Sequence, residues 1–290
     1  MSIKIGKNCK LGKIKFNSSA EVNIGNNCII QDNVIIDVDE RLVLGDRSYI
    51  GRNSEIHGRD IEFGIEAYLD DYVFIGGGSC KEKLSQFKAG YWLHLDRNVA
   101  INTSRKVEIG NEVGIGHSSS LFTHGAYLSW LEGFPVQWGP ITIGSHVYIA
   151  SSTILPNVKI GNNVVVACMS LINKDVPDGC LVGGIPAHII KDNCYPQKFT
   201  DKEIEQRIDE LVTHFITNII GYSGGPKKIV IDGDNKKRLY VDDCMTLFDF
   251  ENMRIDGPAT ELCEKFKNEC RRYGARFKYY IDNNGMYKSW

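Results

Sequence analysis

Seven histidines are the side chains of this chain best suited to moving a proton, because an imidazole titrates near neutral pH. They stand at His57, His94, His117, His124, His146, His188 and His214. His117 and His146 closely follow Gly116 and Gly144, and His57 and His214 read as structural. His124 has a different setting, since it opens an aromatic segment containing Tyr127, Trp130, Phe134 and Trp138. The nine cysteines, Cys168 among them, form no Cys-x-x-Cys pair. Their odd number in a chain of this length argues against a disulfide framework, and several fill small-residue positions of a repeat.

The elements that would hold these groups follow from a six-residue period: aliphatic, Gly, two variable residues, a small residue, one more variable residue. It appears in Ile5-Gly6-Lys7-Asn8-Cys9-Lys10 and in Ile24-Gly25-Asn26-Asn27-Cys28-Ile29. It continues through Leu44-Gly45, Ile50-Gly51, Ile109-Gly110, Ile115-Gly116, Ile143-Gly144, Ile160-Gly161 and Ile172-Asn173. A short strand puts alternate residues on one side, so the aliphatic and small residues face inward. Gly, Asn and Asp are expected at corners that need positive φ. Three strands and three corners close one coil, and stacked coils bury one apolar column. The expected class is mainly β, a parallel β-helix.

Two segments interrupt the period, near 76–98 and 124–140, and inserted loops on a repeat scaffold commonly carry the site. The repeat is expected over 1–193, followed by a helix and linker over 194–225. Thr200-Asp201-Lys202-Glu203 is a capping box that opens that helix, and Gly224-Gly225-Pro226 reads as the linker. Strands over 228–231, 238–241, 246–250 and 276–281, with a helix over 259–272, predict a small C-terminal α+β unit over 226–290.

Hydrophobic residues at 42% and charged residues at 24% fit a globular chain, and a net charge of −2 argues against non-specific nucleic-acid binding. The chain runs from Met1 directly into the repeat, without the apolar stretch of a secretory signal, and no apolar run is long enough to span a bilayer. A cytoplasmic location is expected.

Three features in order carry a resemblance. Leu121-Phe122-Thr123-His124-Gly125-Ala126 leads from a repeat unit into a loop, which returns through Gly139-Pro140-Ile141-Thr142-Ile143-Gly144. The repeat then closes with Asn173-Lys174-Asp175-Val176-Pro177 and Gly183-Gly184-Ile185-Pro186-Ala187-His188-Ile189-Ile190-Lys191. This stretch resembles the hexapeptide-repeat acyltransferases, in particular the sugar acetyltransferases of the galactoside, maltose, nodulation and lipopolysaccharide types. The resemblance implies a left-handed β-helix, a hand the repeat does not give by itself. It implies transfer of an acetyl or similar acyl group from acetyl-CoA or a related acyl-CoA to a sugar hydroxyl or amine. It implies no metal, and a homotrimer with the cleft between subunits.

Carried over by position, the resemblance makes His124 the general base, with Asn102 near the acceptor. Glu132 is a carboxylate on the same loop that could orient the base. Ser151, Cys168, Asn173, Lys174, His188 and Lys191 fall where the family meets the pantetheine arm or the nucleotide phosphates, although His188 replaces the usual basic residue. Tyr127, Trp130 and Trp138 suit stacking on a sugar ring or base, and equally suit packing on the coil. His117 is a further candidate to line the cleft, and His94 to approach it.

Two other functions are compatible with a repeat of this kind. A γ-class carbonic anhydrase has the same fold but needs three zinc-binding histidines, two of them close in sequence. Here His117 and His124 are seven residues apart and no third histidine has the right repeat context. A non-enzymatic β-helix scaffold would need neither the histidine loop nor basic residues along the late coils. The acceptor, a nucleotide-linked amino sugar, a surface-polysaccharide precursor or a free sugar, is left open by the sequence.

Overall fold

The structure is a computed structural model that describes residues 2–17, 19–220, 229–232, 235–241, 246–282 and 284–289. The chain divides into two compact units, Met1–Gln197 and Lys198–Trp290. The expected linker Gly224-Gly225-Pro226 lies outside the described residues.

The first unit is a parallel β-solenoid. Short strands stack in rows, and inward residues repeat in register from coil to coil. One row runs Leu11, Ile30, Ile50, Leu69, Leu95, Ile115, Ile149, Val166 and Val182. From Ile30 onward these side chains are buried in one continuous apolar column. Stacking strands about 4.8 Å apart allows this register to persist along the whole unit.

The corners work differently from the expectation. Residues in the left-handed region are Asn8, Asn27, Arg47, Asn53, Glu66, Glu112, His146 and Asn163 among others, three places after the aliphatic residue. The repeat glycines keep ordinary negative φ and serve close stacking instead. A Cβ on Gly45 would stand 2.4 Å from the Gly64 carbonyl carbon of the next coil. Polar corner side chains tie successive coils: Asp46 accepts the Asn26 N–H at 2.7 Å, and Asn26 accepts that of Lys7 at 2.9 Å.

The first interruption is shorter than the expected 76–98. Only the loop at 77–86 leaves the coil, because Phe87–Ala89 and His94–Leu95 are coil strands. Ala89-Gly90-Tyr91-Trp92-Leu93-His94 is a repeat unit disguised by its corner residue, Trp92, which adopts φ 58° while Leu93 is buried. The second interruption is an arm. His124–Gly125 pairs antiparallel with Gln137–Trp138, and a single helical turn, Trp130–Glu132, caps it. The solenoid ends in the antiparallel ribbon Leu181–Gly184 with Ala187–Lys191.

The second unit is a six-stranded antiparallel sheet with helices α1 (Asp201–His214) and α2 (Glu261–Arg272). Thr200 forms the expected capping box with Glu203. The residues Ile208, Leu211 and Phe215 share a core with Phe248, Phe266 and Tyr287, so the helix expected within a connector is part of this unit. Strands at Arg254–Pro258 and Met286–Lys288 add to those expected from the sequence. No helix among the described residues is long and apolar enough to cross a membrane.

Candidate active site

His124 sits at the root of the arm, where the strand Ser120–Leu121 gives way to the ribbon, and its side chain is half-buried. The coil register sets Ala100 beside Ser120 and Ile101 beside Leu121, which brings Asn102 next to the Thr123-His124 step. Asn102 Oδ1 accepts the Ser104 N–H at 3.0 Å and the Thr123 hydroxyl. Because that backbone N–H can only donate, the amide oxygen faces this cluster. His124 Nδ1 lies 3.2 Å from the same oxygen and therefore carries its proton there. In the neutral ring this tautomer makes Nε2 the nitrogen able to accept a proton.

Trp138, at the returning end of the ribbon, stacks on the imidazole with ring centroids 4.7 Å apart and planes 21° apart. Arg105 places its guanidinium over the same indole at 4.3 Å. The Trp138 ring thus contacts protein groups, unlike Tyr127 and Trp130, which are 99% and 72% exposed. Gly125, Ala126, Tyr127, Leu128, Phe134, Pro135 and Gln137 surround a depression of about 420 Å³ on the arm. Glu132 lies on the exposed turn of the arm and makes no hydrogen bond to His124. The partner of the imidazole is Asn102 instead.

A second concavity, about 600 Å³, lies at a different corner of the solenoid. His117, Ser151, Cys168, Met169 and Ile185 are among the residues lining it. The structure therefore brings His117 together with Ser151 and Cys168. It sits at the opposite end of the strand Ser120–Leu121 from His124. Asn173, Lys174, His188 and Lys191 are exposed and do not line this groove. His188 and Lys191 are on the closing ribbon, opposite Gly183 and Leu181. Neither Lys174 nor Lys191 has an ion-pair partner among the described residues.

The other histidines are placed apart from His124. His94 belongs to a coil strand and stacks on Tyr68 at 4.7 Å. His57 stands between Asp37 and Glu55, at 3.3 and 2.9 Å, and His146 lies 3.2 Å from Glu112. Among the described residues no three His, Cys, Asp or Glu side chains come together as metal ligands. Sequence reasoning passed over Arg105 and Glu82. The period itself was the available signal, since one coil before His124 is the Asn102–Arg105 stretch.

No family model matches the chain. In sequence it is similar to YvoF of Bacillus subtilis strain 168, provisionally named an acetyltransferase, at 38% identity over 104 residues. That match covers 36% of this chain and 53% of YvoF, about half of the relative's length. It is similar to the galactoside O-acetyltransferase of Escherichia coli K12 at 27% identity over 147 residues, 47% of this chain and 71% of that protein. A hexapeptide-repeat-containing acetyltransferase of Vibrio cholerae, solved with acetyl-coenzyme A, aligns at 26% identity over 52% of this chain and 70% of that one, with a TM-score of 0.34. By its repeat and its sequence relatives, the chain resembles the hexapeptide-repeat acetyltransferases, a sugar O-acetyltransferase among them.

Proposed function

We propose that the chain transfers an acetyl or similar acyl group from acyl-CoA to a hydroxyl or amino group of a sugar, with His124 as general base. The observation that carries this reading is the Nδ1 contact to Asn102, which leaves Nε2 as a proton acceptor on a half-buried ring. The acceptor O–H or N–H gives its proton to Nε2 as the oxygen or nitrogen attacks the thioester carbonyl. The C–S bond then breaks, and the proton held by His124 passes to the departing CoA sulfur. Acyl group, proton and thiol all balance without a further reactant. Holding both substrates in one cleft supplies much of the rate.

In this reading acyl-CoA lies along the groove lined by Ser151 and Cys168. Lys174 and Lys191 supply positive charge to its phosphates, with Asn173 and His188 nearby in the sequence. The groove and His124 lie at different corners of the solenoid, which supports a site shared between copies of the chain in a homotrimer. The acceptor is a sugar of the kind found in nucleotide-linked amino sugars or surface-polysaccharide precursors, and Tyr127 and Trp130 are the exposed aromatics available to stack on it.

The test is transfer itself. The purified chain is incubated with acetyl-CoA and a panel of nucleotide-linked amino sugars and simple sugars, and acetylated product is read by mass spectrometry. Product with any member of the panel supports the reading. Absence of product together with absence of acetyl-CoA binding by calorimetry contradicts it.

A further inference from the structure

Loop 77–86 leaves the solenoid after the strand Phe74–Gly76 and returns at Phe87. It is held tightly. The buried Ser85 hydroxyl donates to the Cys80 carbonyl, the Ser85 N–H donates to the Glu82 carbonyl at 2.9 Å, and Arg59 Nε donates to the Ser85 carbonyl at 3.2 Å.

Two contacts run from this loop to the groups around His124. Gly77, at φ 129°, passes so close to Asn102 that a Cβ would stand 2.2 Å from its Nδ2. The Glu82 carboxylate lies 3.4 Å from Arg105 Nη1. Arg105 is fixed from several sides. Its N–H donates to Thr123 Oγ1 at 3.1 Å, and its Nη1 donates to the Ser104 carbonyl at 2.6 Å. Its guanidinium then lies over Trp138, the ring that stacks on His124.

A guanidinium on an indole is an oriented attraction, and a stacked ring takes its plane from its neighbour. Trp138 stands on a two-residue strand of an otherwise exposed arm, so a fixed cation is needed to settle where its ring lies. We propose that Arg105, braced by Glu82, is a positioning residue that holds Trp138 and through it the plane of the His124 imidazole. The role in transfer rests on the reading of His124 as base, whereas the positioning of the ring does not.

The experiment therefore has two readouts. The first is the rate at which diethyl pyrocarbonate modifies each histidine in the full chain, followed by peptide mass spectrometry, with His117 and His146 as internal controls. In Arg105→Met the rate at His124 is expected to rise about threefold while the controls stay constant, since a side chain outside its stacked geometry is freer to react. Glu82→Gln is expected to give a smaller rise, and Arg105→Lys, which keeps charge but not the planar fork, to fall between wild type and Arg105→Met. An unchanged rate at His124, or an equal rise at all three histidines, would overturn the proposal.

The second readout is transfer. Arg105→Met is expected to lower kcat about tenfold with the KM for acetyl-CoA unchanged, the pattern of lost orientation. Adding Glu82→Gln to it should cost little more, because both act through one contact. If His124→Ala transfers normally, the base assignment fails and the modification rates alone decide the positioning of the ring. If His124→Ala is inactive and Arg105→Met is fully active, only the Arg105 proposal fails.

Discussion

His124 Nδ1 and Asn102 Oδ1 are 3.2 Å apart, and the same oxygen is anchored by the Ser104 N–H and the Thr123 hydroxyl. This contact fixes the tautomer of the neutral ring and the direction in which Nδ1 points. Asn102→Ala is expected to reduce kcat about 10- to 100-fold, the usual cost of losing a group that orients a reactive side chain. Asn102→Asp still offers an oxygen to Nδ1 and should retain far more activity. Steady-state kinetics of the two variants checks this, and equal losses would mean that the oxygen is not what matters.

The exposed lysines of the last coils should act on cofactor binding alone. Replacing Lys174 or Lys191 by Ala is expected to raise the KM for acetyl-CoA about threefold to tenfold, with kcat preserved, because an exposed charge contact of about 1 kcal/mol is lost equally from ground and transition states. The rise should shrink as salt increases. Titration of initial rate against acetyl-CoA at two ionic strengths measures both effects.

The groove and His124 lie at opposite ends of the strand Ser120–Leu121, so a shared site predicts complementation. His124→Ala and Ser151→Trp, which fills the groove, should each be inactive alone. Unfolded together and reassembled as mixed oligomers, they should recover about a quarter of wild-type activity, since random pairing in a cyclic assembly joins an intact His124 to an intact groove that often. The recovered rate is the measurement. No recovery would place the whole site within one chain.

Asp249 predicts how the second unit responds to acid. Burial raises its pKa, but the Asn252 side chain, the N–H groups of Asn252 and Glu251 and the charge of Arg238 outweigh burial and hold the carboxyl below its ordinary 3.8. A carboxyl lowered in the folded state contributes stability that is present above the unfolded value and is lost as pH falls through the folded one. Stability of this unit should therefore decline below about pH 4. Asp249→Asn should lower stability at neutral pH and flatten that decline. Urea unfolding, followed at several pH values between neutral and acid, checks the sign.

Much of the fold was legible because the repeat writes its own geometry. Each aliphatic-Gly pair predicted an inward side chain, and Ile24, Ile50, Ile115 and Ile149 are buried, whereas the glycines expected at positive-φ corners serve close stacking instead. Trp92 concealed a unit because a large aromatic stands where an asparagine is usual, at φ 58°. At the site, Asn102 and His124 were both visible in the sequence, and the coil register explains why they meet. Glu132 drew attention as a carboxylate on the same loop, yet a neighbour in sequence on the arm is not a neighbour of the imidazole. Arg105 and Glu82 carried no motif. Arg105 sits between two coil strands, but Glu82 stands on the loop 77–86 that leaves the solenoid, and where such a loop returns to the coil is not encoded by a period along the chain.

The most direct measurement is acceptor-dependent thiol release from acetyl-CoA by wild type and His124→Ala, side by side with an acceptor that wild type acetylates. Release by wild type that falls by about two to four orders of magnitude in the variant, with acetyl-CoA binding unchanged, is the result expected of a lost general base. Equal release by the two proteins would contradict it and remove His124 from the chemistry.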